Sequence, residues 1–161
     1  KPRFSGFVGE RRINQRIIGI LEIEKNGVLE WGSSSLFFRE HDNPSFLEYP
    51  FTKELINFLY FVGSFYEKMN YYGYVKFVLG FNNVLDCPVG IPFKLLGKFL
   101  QSDDSSKFVG NTLLLTREFL ASELLEKHKK YARDIMNEFF NAFGRMRSPH
   151  FDDEGNFVAL D

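Results

Sequence analysis

The fold class predicted for this 161-residue chain is α+β, an antiparallel sheet with two main helices packed on one face. Three observations carry that reading. Two apolar runs flank Asn26-Gly27, the strongest short hairpin signal, because both central residues of a type I′ turn need positive φ. Residues 52–73, TKELINFLYFVGSFYEKMNYYG, place Leu55, Phe58, Leu59, Val62, Phe65, Tyr66 and Met69 on one face of a helix. Strand-like and helix-like runs then follow without the regular alternation of a parallel sheet, and no repeat suggests a solenoid.

In chain order, residues 1–15 read as a basic linker or arm, with Lys1, Arg3, Arg11 and Arg12 against Glu10, and residues 16–161 as a single α+β domain. RIIGILEIEK is the first strand and VLEWG its partner. A two-residue turn sets Lys25 opposite Val28, Ile23 opposite Glu30 and Leu21 opposite Gly32. Residues 34–40 predict a third strand, and residues 41–50, with Pro44 and Pro50, a turn-rich connection. Thr52 is the expected N-cap of the central helix and Gly73 its left-handed stop. Residues 74–81, YVKFVLGF, read as a strand, with a second short one at 84–87 after Asn82-Asn83. Residues 91–100 predict a short helical or irregular piece and 101–107 a polar surface loop. Residues 108–115 return to strand character. Thr116 then caps one long helix, 117–143, closed by Gly144.

Composition limits the function. The chain is 44% hydrophobic and 25% charged, as in folded proteins that build their own core. Twenty phenylalanines point first to a dense aromatic core and second to an interface. A net charge of −1 exerts no global pull on nucleic acid or anionic membrane. One cysteine excludes an intramolecular disulfide framework and fits a reducing, cytoplasmic setting, and no apolar run is long enough to span a bilayer. The chain starts in polar sequence without methionine, which reads as a piece of a longer protein.

Catalytic and metal signals are sparse. His41, His128 and His150 are far apart, and His150 beside Asp152 and Asp153 reads as a solvated turn. Glu22 and Glu24 share a strand face, the solvent side of an edge more readily than an acid–base pair. Cys87 reads as a buried apolar thiol, and neither a phosphate loop nor a nucleophile elbow is present. No cofactor is expected. The one dense basic helical segment is KHKKYAR, residues 127–133, where Glu123 and Glu126 precede lysines at i+4 as on a solvated helix. As a nucleic-acid surface the candidates are Arg3, Arg11, Arg12, Lys127, Lys129, Lys130 and Arg133, with Tyr71, Tyr72 and Tyr74 as stacking rings.

The segment 134–157, DIMNEFFNAFGRMRSPHFDDEGNF, resembles the ending of bacterial Schlafen-like AlbA-type DNA-binding (or ATP-binding) proteins. The likeness rests on Asp134, Phe140, Ala142, Gly144, Arg147, Ser148, Phe151, Asp152, Gly155 and Phe157. RRINQRIIGILEIEKNG and FYEKMNYYGYVKF are similar to the region that follows the AlbA-type domain in such proteins. The nucleic-acid-binding and nuclease residues of that family lie in the preceding domain, and no role is carried over from it. The resemblance implies a non-catalytic accessory C-terminal module of a larger DNA-binding or regulatory protein. It would act in protein–protein contact or self-association, and any nucleic acid would be bound through a preceding domain. The alternative is a nucleic-acid-binding module using the basic arm and the 127–133 helix segment.

Overall fold

Three antiparallel sheets and two 21-residue helices make up the computed structural model, which describes residues 2–3, 6–40, 43–89 and 107–158. The α+β class is as the sequence predicts. The first sheet is a meander of β1 (Pro2–Arg3), β2 (Gly6–Ile13), β3 (Arg16–Glu24) and β4 (Leu29–Ser33), in that order. Much of the expected basic arm is therefore strand. β2 pairs along β3 with one register shift at Arg11/Arg12, and Val8 is buried. Two glycines, Gly6 and Gly9, and the consecutive charges Glu10, Arg11 and Arg12 hide this strand in the sequence.

The register of the next hairpin differs from expectation by one residue. Ile23 lies opposite Leu29 and Leu21 opposite Trp31, because the Gly27 N–H donates to Glu24 O and the Glu24 N–H to Val28 O around Gly27 at φ +90°. A one-residue slip turns every side chain to the other face. Here it sets Leu21 and Ile23 beside Leu29 and Trp31, where the expected register would have opposed them to Gly32 and Glu30. The two-residue geometry expected at Asn26-Gly27 occurs instead between β2 and β3, where Asn14 and Gln15 both have positive φ and Ile13 faces Arg16.

A short hairpin, β5 (Phe37–Glu40) with β6 (Asn43–Phe46), leads into α1 (Glu48–Lys68). The helix starts one turn before the expected cap. Pro50 fits the first turn, which needs no N–H there, and the buried Thr52 hydroxyl donates to Glu48 O at 2.8 Å. Its end comes before Gly73: Asn70, at φ 51°, takes the left-handed position, and the Tyr71 N–H closes on Tyr66 O.

β7 (Tyr74–Asn82) pairs with β8 (Thr112–Leu120) over nine residues. Thr116 is thus mid-strand rather than a cap, and α2 (Ala121–Asn141) begins after Leu120. Pairing with β7 overrides the helical periodicity of residues 117–120, and the Ala121 N–H donates to Gly73 O. The Gly144 stop occurs as expected, at φ +72° with the Arg145 N–H on Phe140 O. Residues 84–87 turn instead of forming a strand, since Asn83 and Asp86 have positive φ. The pieces expected at 91–100 and 101–106 lie outside the described residues, as does His41.

The helices are antiparallel. Phe51 meets Phe139, Tyr60 meets His128, and Gly63 meets the backbone of Leu124 and Leu125. At Gly63 a Cβ would sit 2.7 Å from Leu125 N, so this close crossing requires glycine. Val75, Phe77, Leu79 and Phe81 of β7 alternate inward, and with Phe46, Phe51, Phe108 and Phe139 they build the aromatic core. The first of the two roles expected for the phenylalanines is the observed one. Among the described residues no helix is long and apolar enough to cross a membrane.

Candidate functional site

Two sheets stop short of each other above one face of α1. β4 is the last strand of its sheet, and β7 pairs only with β8 among the described strands. Between them runs a groove of about 1320 Å³, bounded by β4 on one side and the whole of β7 on the other. Phe58, Val62 and Phe65 of α1 form its floor, and Leu29, Trp31, Val75 and Phe77 its inner walls. Trp31 stacks at 5.8 Å on Phe58 and 6.4 Å on Phe51, which fixes β4 against the helix. The Tyr66 hydroxyl donates to Gly27 O at 2.8 Å and ties the start of β4 to the end of α1.

These contacts also fix direction. β4 runs from Gly27, beside Tyr66, towards Trp31, beside Phe51 and Phe58. β7 starts just after α1 and reaches Phe51 through Phe81. Both strands therefore run antiparallel to α1 and point the same way. Each leaves one row of backbone N–H and C=O groups turned from its partner strand, as an edge must. β7 is a long edge with one charge, Lys76, and no proline, so it carries little of the usual protection against pairing.

The basic residues singled out in the sequence are laced with carboxylates. Arg12 bonds Glu10 through two nitrogens at 2.6 and 2.9 Å, and Arg11 lies 4.0 Å from Glu54. Burial raises the Glu54 carboxyl above its ordinary range, against the pull of Arg11. On α2, Lys127 pairs with Glu123 at 2.8 Å and Arg133 with Asp134 at 3.5 Å. Lys129 and Lys130 are exposed on the same helix, where Glu123, Glu126, Asp134 and Glu138 equal the basic residues in number. Arg3 lies in β1. Among the described residues no hydrogen bond or ion pair joins the Arg11–Arg12 group to the α2 group. Tyr71, Tyr72 and Tyr74 are exposed, but the Tyr71 hydroxyl is bound to Tyr74 O at 2.8 Å, and Tyr71 and Tyr74 belong to the groove rim.

The other candidates resolve as structure. Cys87 is buried, and burial pushes its thiol up. His150 is only 5% exposed, not on a solvated turn: its Nε2 lies 3.6 Å from Glu48 Oε1, between the rings of Tyr49 and Phe140. Asp152 instead caps the following turn, accepting the Asn156 N–H at 2.7 Å, and such backbone bonds hold its carboxyl below the usual range. Among the described residues no cluster of His, Cys, Asp and Glu is placed to hold a metal. Glu22 and Glu24 do share the outer sheet face, with Glu22 directly opposite Glu30.

The groove residues escaped the sequence reading because each looks like ordinary core. Val75, Phe77, Phe58 and Phe65 follow the periods that mark buried faces, and only the failure of two distant strands to pair leaves them open. No family model, curated protein or solved structure matches this chain, so the geometry carries the functional reading.

Proposed function

We propose that this chain is a non-catalytic accessory module acting through protein–protein contact, and that the groove between β4 and β7 is where contact is made. The observation that carries this reading is the pair of open strand edges over an apolar floor. Such an arrangement suits an added strand, whose backbone bonds supply affinity and whose alternate side chains supply selectivity. Size supports it: sites for drug-sized ligands enclose about 300–1,000 Å³, whereas this groove encloses about 1320 Å³ and runs the length of a nine-residue strand. The resemblance of its C-terminal segment would set the module beside a nucleic-acid-binding domain in a longer protein.

Trp31 is the single tryptophan and lines the groove, so its emission reports on occupancy. Titration with strand-forming peptides is expected to shift that emission saturably, or the free chain is expected to be a dimer whose β4 and β7 edges are protected from exchange. A monomer whose emission no peptide moves would overturn the reading. The nucleic-acid alternative requires binding that weakens steeply with salt. Because Arg11, Arg12, Lys127 and Arg133 each face a carboxylate, anisotropy with mixed DNA and RNA is expected to show no such binding at moderate salt. Micromolar, salt-sensitive binding would put the basic residues first.

A further inference from the structure

We infer that a second site lies beneath β2 and β3, and that it takes a small zwitterion, a free α-amino acid with an apolar side chain. It does not depend on the docking reading above. Its basis is a pair of glycines. Across the first sheet Gly9, Leu21 and Trp31 stand in one row, and Arg11, Gly19 and Ser33 in the next. These positions share the face turned to α1, as the stacking of Trp31 on Phe51 and Phe58 fixes. Gly9 and Gly19 are diagonal neighbours in that pattern, and the missing side chains leave a recess of about 270 Å³ against Leu21 and Trp31.

Nothing in the backbone requires glycine at either position. Neither has positive φ, and an added Cβ would meet its nearest neighbour at 3.7 Å for Gly9 and 3.5 Å for Gly19, ordinary contacts both. Gly6 differs, because a Cβ there would strike Ile23 O. Glycine weakens the interior of a strand, and its usual reasons for standing there are a bulge or the close approach of another group. Gly19 adjoins the register shift at Arg11/Arg12, but Gly9 lies ahead of it. What the two share is the recess.

The mouth sets the charges of the ligand. Arg11 and Glu54 both line the recess and stand 4.0 Å apart, beyond hydrogen-bond reach. Arg11 is an exposed side chain able to swing outwards, whereas Glu54 is about two-thirds buried. A molecule entering between them separates the pair, so it must replace both counter-charges. A carboxylate set on Arg11 and an ammonium set on Glu54 do so, turning one loose contact into two charge-assisted hydrogen bonds. The apolar side chain then fills the space left by Gly9 and Gly19, where Leu21 and Trp31 offer no polar partner. The size agrees, since the recess falls just below the range of about 300–1,000 Å³ typical of drug-sized ligands.

Leucine is the probe, read on the present chain by Trp31 emission and by titration calorimetry. Saturable binding is expected. Leucinamide and N-acetylleucine each lack one charge and should bind at least about tenfold weaker, the loss of one charge-assisted hydrogen bond. Glu54→Gln should weaken leucine by a similar factor and leave N-acetylleucine unchanged, whereas Arg11→Gln should weaken leucine and leave leucinamide unchanged. In Gly9→Ala/Gly19→Ala the urea midpoint should be retained or raised, because alanine suits a strand better than glycine. Leucine at the concentration that saturates the parent should then no longer bind. Equal affinity for leucine, leucinamide and N-acetylleucine would overturn the zwitterion assignment, and undiminished binding in the double alanine variant would overturn the place. Neither heat nor an emission change with leucine or phenylalanine up to about 10 mM would overturn the site itself.

Discussion

The aromatic centre and the groove are built from the same kind of residue on the same helix, yet one is closed and the other open. Towards the N-terminal end of α1, Phe51 is sealed by Phe46, Phe81 and Phe139, rings contributed by β6, β7 and α2. Farther along, Phe58 and Phe65 face the space between β4 and β7 and stay partly exposed. What separates the two regions is the covering layer, not composition. Where three elements converge, phenylalanine is fully buried; where two strands fail to meet, the same residue stays partly exposed.

Substitutions should divide along that line. Phe139→Ala removes a fully buried ring and is expected to cost about 3–5 kcal/mol in urea unfolding, the range for Phe truncation in a close-packed core. Gly63→Ala comes next, at about 1–3 kcal/mol, because the added methyl meets the α2 backbone rather than a side chain that could yield. Phe58→Ala inverts the pattern: a stability loss of about 1 kcal/mol for a half-buried ring, but loss of the Trp31 response to peptide. If Phe139→Ala and Phe58→Ala cost equal stability, the two regions are one core and the contrast fails.

The smallest effect concerns the far side of α2. Burial, and then the hydrogen bond to Glu123, push Tyr131 up to about 12, and its ring stacks on Phe119 at 4.5 Å. The neutral phenol is the form the fold favours. Its contribution is therefore complete below the unfolded value near 10 and is lost as pH rises towards 12. Urea midpoints of the parent chain should fall more steeply across that window than those of Tyr131→Phe, and peptide binding should be the same in both at neutral pH.

Much of the fold was legible in the sequence. The strict alternation of Val75, Phe77, Leu79 and Phe81 announces β7, and Gly144 ends α2 as expected. Local signals failed where tertiary pairing outvoted them. Residues 117–120 carry a helical pattern but pair with β7, and Asn26-Gly27 holds a longer loop that matches Leu21 and Ile23 to apolar partners. Asn70 serves as the helix stop in place of the more obvious Gly73. The groove was not legible, since nothing in VLEWG or YVKFVLGF tells whether an outer edge is covered. The basic segments were legible as charge, and so was Glu10 beside Arg12, but the Glu54 carboxylate comes to Arg11 only through folding.

Amide hydrogen exchange along β7 reads directly whether its outer edge is open. In an antiparallel ladder alternate N–H groups point to the partner strand and the others away. The β7 amides directed at β8 are expected to exchange slowly and those directed at the groove fast, with the fast set slowing once a strand-forming peptide binds. Slow exchange of both sets in the free monomeric chain would mean that the edges are already covered, and would contradict the account.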